Sequence, residues 1–296
     1  MLDSRTLKGY SLILLAAVGF GSYGVWARYI GGDFGVYYHA WIRSVMVLLI
    51  ILPVGYFTKQ FKRVDAVDLK WLLVPVFCGI FTQAPIYYAF NNMDIGTATL
   101  LFFAMFLITS YVIGSALFGE KLTHIKVFSL IVGLLGLVLV FGISLGKFSL
   151  LAIMLASLTG IASGGEVVFS KKTSSKYSSL QINLYVWLGI LITHLPTSLL
   201  VGETQLVPQF NFIWFSMLAY SVVGLLSFWL VIEGFKTVDA SIGSLIGLME
   251  VVFGVLFGVV LFGESLTSTF LLGGLLILVA GMLPDLYELL KVRYKH

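Results

Sequence analysis

Phe118-Gly119-Glu120-Lys121-Leu122-Thr123 closes one long apolar run of this chain, and Phe262-Gly263-Glu264-Ser265-Leu266-Thr267 closes another. The near-identity of the two stretches indicates that the chain is a duplication. If each copy holds an odd number of membrane-spanning helices, the second copy enters the bilayer from the opposite side, which is the inverted-repeat plan of secondary transporters. The number of helices therefore decides the fold.

The composition is that of an integral membrane protein. Hydrophobic residues make up 59% of the chain and charged residues 11%, and the mean hydropathy is +1.02. Soluble domains carry about 25% charged residues. The apolar runs are continuous and about 20 residues long, which is the length of a spanning helix and not the alternation of a β-barrel.

Ten apolar runs separated by short connections predict ten transmembrane helices in an all-α fold. They lie near 9–29, 36–57, 70–91, 96–118, 124–142, 149–170, 179–201, 211–235, 240–262 and 268–289. Five helices per half is an odd number, so the halves, 1–145 and 146–296, are predicted to be two inverted repeats. Because the connections are short, the function is expected to lie within the bilayer.

Basic residues predict the orientation, since cytoplasmic segments retain lysine and arginine. Counting from an inside amino terminus, 15 basic residues fall on inner segments and only Lys147 on an outer connection. This predicts a multi-pass protein of the cell (inner) membrane with both termini cytoplasmic. The formal charge of +4 then reflects topology, and no basic stripe supports nucleic-acid binding.

Several other classes find no support in the sequence. Cys78 is the single cysteine, and the four histidines lack metal-ligand spacing. No Gly-x-x-x-x-Gly-Lys-Ser/Thr loop is present to bind ATP. We therefore expect no metal, cofactor or nucleotide-driven step.

The chain resembles the drug/metabolite transporter superfamily, specifically its EamA-type ten-helix members. The resemblance rests on the helix count, on the Gly-Glu pair that closes helices four and nine, and on Glu250, fourteen positions before Glu264. It implies a carrier with alternating access and a central cavity between inverted halves. Members often carry proline after this glutamate; here Val251 follows it and Phe106 occupies the corresponding place in helix four.

Two carboxylates within spans are candidate functional groups, because ionisable residues in a membrane are costly. Glu250 is predicted to contact substrate or a coupling proton; alternatively it pairs with a buried arginine or caps a neighbouring helix. Glu166 lies on a polar face of helix six and is predicted to bind an amine or a proton. Its alternative is a salt bridge with Lys171 or Lys172.

Arg43 and His39 lie one turn apart in helix two. Arg43 keeps its charge and needs an anionic partner, carbonyls or water. It either receives a substrate carboxylate or pairs permanently with Glu250, and the residues favour the second reading slightly. Three further ionisable residues have simpler interpretations: an interfacial anchor for Arg28, a local pair with Lys236 for Glu233, and hydrogen bonding for His194.

Aromatic and amide side chains in three helices are predicted to line the cavity, since small-molecule sites combine rings with a few polar groups. They are Tyr23 and Trp26 in helix one, Gln83, Tyr87 and Tyr88 in helix three, and Trp229 in helix eight. Pro85 is predicted to bend helix three.

Together these features predict a secondary active transporter of small polar or amphipathic metabolites, such as amino acids or amines, that exports them with proton coupling. Its partners would be the substrate, the lipid bilayer and protons. Alternatives are a channel or scaffold, a carrier importing an amine or a nucleotide or sugar derivative, and an intramembrane enzyme. For the enzyme, Gly142-Ile143-Ser144-Leu145-Gly146 matches Gly-x-Ser-x-Gly, but in a predicted turn and not at a strand-to-helix elbow.

Overall fold

The computed structural model describes residues 4–31, 34–93, 95–142 and 149–293, with the backbone alone for 87, 90, 91, 285 and 288–293. The regular structure of these residues is entirely helical, which confirms the predicted class. The helices are α1 (Ser4–Gly21), α2 (Tyr23–Ile30), α3 (Val36–Phe57), α4 (Ala66–Ile80), α5 (Ala84–Asn92), α6 (Ile95–Phe118), α7 (His124–Phe141), α8 (Leu150–Thr173), α9 (Ser179–Leu200), α10 (Phe212–Phe235), α11 (Ala240–Gly247), α12 (Met249–Phe262) and α13 (Ser268–Arg293).

Within the described ranges, nine segments are long and apolar enough to cross a bilayer. Three of them are pairs of helices joined end to end: α1 with α2, α4 with α5, and α11 with α12. The apolar part of α13, Ser268–Pro284, forms the tenth predicted span. The ten-helix plan is therefore confirmed, with three spans broken.

The breaks have different local causes. Pro85 lies in the first turn of α5 and has no N–H to extend the helix above it, so the predicted bend of helix three is found. The ninth span breaks at Leu248 without a proline. The Leu248 N–H is shared between the carbonyls of Ser244 and Leu245, at 3.2 Å each, a tightening of one turn toward 3₁₀ geometry.

Successive spans run in alternating directions and divide the connections between two faces. On the amino-terminal face, Thr237 donates a hydrogen bond to the carbonyl of Arg5 at 3.2 Å. On the far face, the carboxylate of Glu203 accepts the N–H groups that begin α3. The amino-terminal face carries Ser4 and connections 58–65, 119–123, 174–178 and 236–239; the far face carries Gly31 and connections 201–211 and 263–267.

Ion pairs on the amino-terminal face help to join the connections of the two halves. Lys176 forms an ion pair with Asp65 at 2.6 Å and a second with Asp68. Hydrogen bonding to these two carboxylates holds the pKa of Lys176 above its usual range. The pairs are exposed to water, which screens them, so they orient the connections more than they stabilise the fold.

Among the described residues the core consists of four buried clusters, and the two largest each combine helices of both halves. The larger joins chiefly α1, α3, α8, α9 and α10, and the other joins α6, α7, α11, α12 and α13. In the second cluster α7 and α13 cross at glycines. A Cβ atom on Gly273 would lie 2.6 Å from the carbonyl oxygen of Gly136, and one on Gly136 would lie 2.8 Å from that of Gly273. The absence of side chains permits this close approach.

Gly273→Ala is expected to destabilise the protein by about 1–3 kcal/mol, because the added methyl group meets backbone that cannot yield easily. Thermal unfolding in detergent measures the effect. Gly274→Ala is the matched control, since a Cβ there has only ordinary contacts at 3.8 Å. Equal melting temperatures of the two variants would show that α7 and α13 do not cross at these glycines.

Candidate functional site

A cavity of about 870 Å³ lies among the helices of both halves. At one end it reaches the far face, where lining residue Ile95 is 63% exposed and the side chains of Arg28 and Glu264 are about half exposed. At the other end its lining residues Ile13 and Phe235 are buried. The cavity therefore opens at the far face and is closed at the amino-terminal face.

Arg43 brings a buried positive charge to the cavity wall from α3. The residue is 1% exposed, and its guanidinium carbon lies 3.7 Å from the ring centroid of Tyr220. The rings of Tyr23 and Trp187 lie at 5.6 and 5.5 Å. Gly224 on α10 leaves the room for this arrangement, because a Cβ there would lie 2.5 Å from the Tyr23 hydroxyl and 3.0 Å from Arg43 Nη2. Aromatic faces stabilise the cation where water is scarce.

Trp187 supplies a hydrogen-bond donor beside Arg43. It lies on α9, is 6% exposed and lines the cavity, and its Nε1 has no hydrogen-bond partner in the described part of the chain. A buried donor of this kind is costly unless a ligand or water accepts its proton. Sequence analysis missed Trp187. Its depth, two turns inside a span, was the available signal, since interfacial tryptophans lie at helix ends.

Glu250 lies in the first turn of α12, just after the break at Leu248. It lines the cavity together with Tyr23 and Tyr220. Gly21 fixes the backbone at this point: a Cβ there would lie 2.8 Å from the carbonyl oxygen of Glu250, so α1 and α12 cross in direct contact. The crossing of two broken spans thus places the carboxylate at the cavity wall.

Glu166 lines the cavity from α8, as do Thr159 and Ser163 of its polar face. Its carboxylate lies against α4, 3.3 Å from the position of a Cβ on Gly79. The two lysines that could have formed a salt bridge with Glu166 have other contacts. Lys171 pairs with Glu120 at 3.3 Å, and the Lys172 ammonium lies 5.5 Å from the ring centroid of Trp71. The structure therefore does not place a lysine of this helix end on Glu166.

The remaining predicted site residues divide into two groups. Tyr23 and Gln83 line the cavity with Arg43, Glu166 and Glu250. The cavity lining does not include four others: Trp26, whose Nε1 donates to Ser22 Oγ at 3.1 Å; His39, whose ring packs on Tyr220; Tyr88, which is 40% exposed; and Trp229.

Two predictions lie outside the described part of the chain. They are the side chain of Tyr87 and residues 143–148, which hold Ser144 of the Gly-x-Ser-x-Gly match and Lys147. Their roles stay predictions.

Three ionisable residues set aside by sequence analysis have identifiable contacts. Glu233 pairs with Lys236 at 2.7 Å, and the His194 ring nitrogen lies 3.1 Å from the carbonyl oxygen of Ile190. Arg28 is not simply an interfacial anchor. It pairs with Glu264, and both residues line the cavity at its far-face end.

Comparison with known proteins agrees with this architecture. The model of the EamA-like transporter family matches the chain twice, over residues 7–142 and 150–283. An uncharacterized transporter of Helicobacter pylori (strain J99) is 25% identical over 96% of this chain and 97% of its own length. One of Archaeoglobus fulgidus is 28% identical over 93% and 95%. A solved crystal structure at 17% identity shares the fold, with a TM-score of 0.78 over 97% of this chain and all of the other.

Two matches to one family model, on either side of the connection between the fifth and sixth spans, account for the duplication found in the sequence. The exact boundary between the halves stays a prediction. The chain belongs to the EamA-like transporter family, within the drug/metabolite transporter superfamily that its residues resemble.

Proposed function

We propose that this membrane transporter is a secondary active carrier that exports small polar or amphipathic metabolites, with amino acids and amines as the leading classes, in exchange for protons. One observation carries the proposal. A single cavity within the spans presents a buried arginine, Arg43, and two carboxylates, Glu166 and Glu250, among aromatic rings.

The chemistry of the cavity favours a small molecule with charged ends. Its volume, about 870 Å³, lies within the 300–1,000 Å³ range of small-molecule sites. Charged groups inside a membrane are retained where they serve binding or ion movement, because each costs several kcal/mol. A carboxylate of the substrate would accept hydrogen bonds from Arg43 and from Trp187 Nε1. An ammonium group would lie at Glu166 or Glu250.

The predicted orientation supports the proposed direction and coupling. If the basic amino-terminal face is cytoplasmic, the cavity opens to the outside. A proton entering from that side would compete with an ammonium group for the same carboxylates, because either one neutralises the negative charge. Proton entry would therefore release the substrate outward, which is the exchange we propose.

Counterflow in proteoliposomes tests the proposal. Vesicles containing the purified protein are loaded with a mixed panel of amino acids and amines, and uptake of a labelled trace of each compound is followed. Saturable uptake that requires the same unlabelled compound inside is expected for at least one of them. Lack of counterflow with every compound, from protein that is folded and inserted, would contradict the proposal.

Trp187→Phe is expected to raise the half-saturation concentration about 2- to 10-fold, since it removes one donor worth roughly 0.5–1.5 kcal/mol and keeps an aromatic ring. Concentration dependence of counterflow measures the change. Trp214→Phe is the matched control, because Trp214 is equally buried but lies outside the cavity lining. Equal half-saturation values for both variants would remove the Trp187 N–H from substrate binding.

A further inference from the structure

The first copy of the repeated Phe-Gly-Glu stretch joins the two halves on the amino-terminal face. Glu120 follows α6 and is 8% exposed. It accepts hydrogen bonds from the N–H of Ala240 at 2.6 Å, the N–H of Ser241 at 3.2 Å and the Ser241 hydroxyl at 3.0 Å. These are the first groups of α11, so a carboxylate of one half caps a helix of the other. Lys171 pairs with the same carboxylate at 3.3 Å.

The backbone around the second copy has the same geometry. Gly119 and Gly263 have φ angles of +64° and +68°. The N–H of each following glutamate donates to the carbonyl of the glycine six positions earlier, 114 or 258, at 3.3 Å in both cases. Each member of the second set lies 144 positions after its counterpart (258 − 114, 263 − 119 and 264 − 120). Glu264 is therefore the structural counterpart of Glu120.

The basic partner of the glutamate is repeated as well. Glu264 pairs with Arg28 at the end of α2, as Glu120 pairs with Lys171 near the end of α8. Residues 28 and 171 differ by 143 positions, the same difference as between the starts of the two family matches at 7 and 150. Each half thus supplies, at the end of its first span, the basic residue that pairs with the glutamate of the other half.

The two glutamates differ in what else they contact. The starts of the two spans differ by one position more than their ends, because α6 begins at Ile95 and α11 at Ala240, 145 positions later. The counterparts of Ala240 and Ser241 are therefore Ile95 and Gly96, the first two residues of α6. Glu120 is buried on its helix start, whereas the side chain of Glu264 is 45% exposed and hydrogen-bonded to Arg28. Glu264 and the first residue of α6, Ile95, both line the open end of the cavity. The carboxylate of the repeat therefore caps a helix start on the closed face and is hydrogen-bonded to Arg28 on the open face.

We propose that Glu264 caps a helix in the other state of the transport cycle, as Glu120 does in the state observed here. When the cavity closes at the far face, Glu264 moves with Arg28 onto the start of α6. There it accepts the N–H groups of Ile95 and Gly96, the counterparts of the two that Glu120 accepts. Glu120 leaves Ala240 and Ser241 in the same transition, so the cavity opens at the amino-terminal face. This inference rests on the proposed alternating-access function and assigns residues to its conformational step.

The physical basis is the exchange of one cap for another of the same chemistry. A helix start presents N–H groups without intrahelical partners and a partial positive charge, and a carboxylate satisfies both. If each face has one such cap, the cap that forms when one face closes offsets the cap that is lost when the other face opens. The two states then lie close in free energy, as a carrier that passes repeatedly between them requires.

Spin-label distances test the proposal directly. Labels at Ile95→Cys and Ser265→Cys, in a Cys78→Ala background, report the width of the cavity at the far face; both positions are exposed. Glu120→Gln weakens the cap of the observed state. It is expected to increase the population with a short 95–265 distance at least about threefold over the unsubstituted labelled protein. Adding Glu264→Gln is expected to reverse that increase.

A further variant sharpens the result. Glu203→Gln is the matched control, because Glu203 also caps a helix on the far face but lies outside the repeated Phe-Gly-Glu stretch. It is expected to leave the distance distribution unchanged.

The outcomes separate this inference from the proposed function. If counterflow succeeds but Glu264→Gln leaves the short-distance population of Glu120→Gln intact, the capping role is overturned. An unchanged distribution in Glu120→Gln overturns it too. If the distances shift as expected and no substrate shows counterflow, the conformational exchange stands and the carrier function fails.

Discussion

Replacing Arg43 with methionine is expected to reduce counterflow of a carboxylate-bearing substrate by roughly 10- to 100-fold at limiting concentration, since a hydrogen bond to a charged group contributes about 1.5–3 kcal/mol. Methionine keeps an unbranched side chain of similar length against the rings of Tyr23, Trp187 and Tyr220 while it removes the charge. Initial rates over a range of substrate concentrations, measured in proteoliposomes, give the effect.

Arg43→Lys is the matched variant. It retains the charge but not the planar fork of donors, so an intermediate rate is expected. Folded yield and melting temperature are measured for both variants, because removing one member of a buried charged group is destabilising in itself, by about 3–5 kcal/mol when its partner stays behind. Full transport by a folded Arg43→Met protein would contradict a role for Arg43 in substrate binding.

Glu250→Gln and Glu166→Gln are each expected to lower proton-linked transport at least about 10-fold while leaving the folded yield intact, since glutamine has the shape of glutamate but neither binds nor releases a proton. Substrate-dependent proton movement, followed with a pH-sensitive dye inside the vesicles, measures coupling. Counterflow without a proton gradient, measured beside it, reports substrate binding. Loss of proton movement with retained counterflow identifies a coupling residue; loss of both identifies a substrate-binding residue.

Glu233→Gln is the control for both glutamate variants. Glu233 also lies within a span but is paired with Lys236 at the helix end. Its replacement is expected to leave proton movement unchanged. Unchanged transport in either cavity variant would remove that carboxylate from the mechanism.

The helical plan could be predicted from the sequence because each span depends mainly on local composition. A bilayer requires about 20 apolar residues and complete backbone hydrogen bonding from each span, whatever its neighbours are. The bend at Pro85 was predictable for the same reason, since proline lacks an N–H wherever it stands. The break at Leu248 has no comparable residue signal, and it was found only in the structure.

The candidate site was predictable only in part. Glu166, Glu250 and Arg43 could be named because charges within spans are rare and costly. Aromatic side chains are common throughout the spans and pack equally well against lipid, helices or a cavity. Trp26 and Trp229 were therefore named although they lie outside the cavity lining, and Trp187 was missed.

The sequence by itself determined the membrane class, the ten spans and the duplication, because hydrophobic length and repeated residues are properties of the chain. Only the tertiary structure decided which charges share a cavity and which face is open. It also showed that the repeated glutamates have unequal partners: Glu120 caps α11 and Glu264 pairs with Arg28 at the cavity mouth. The physical reason is that two copies of one local geometry can adopt different contacts, since the helix starts that they would cap belong to distant parts of the chain.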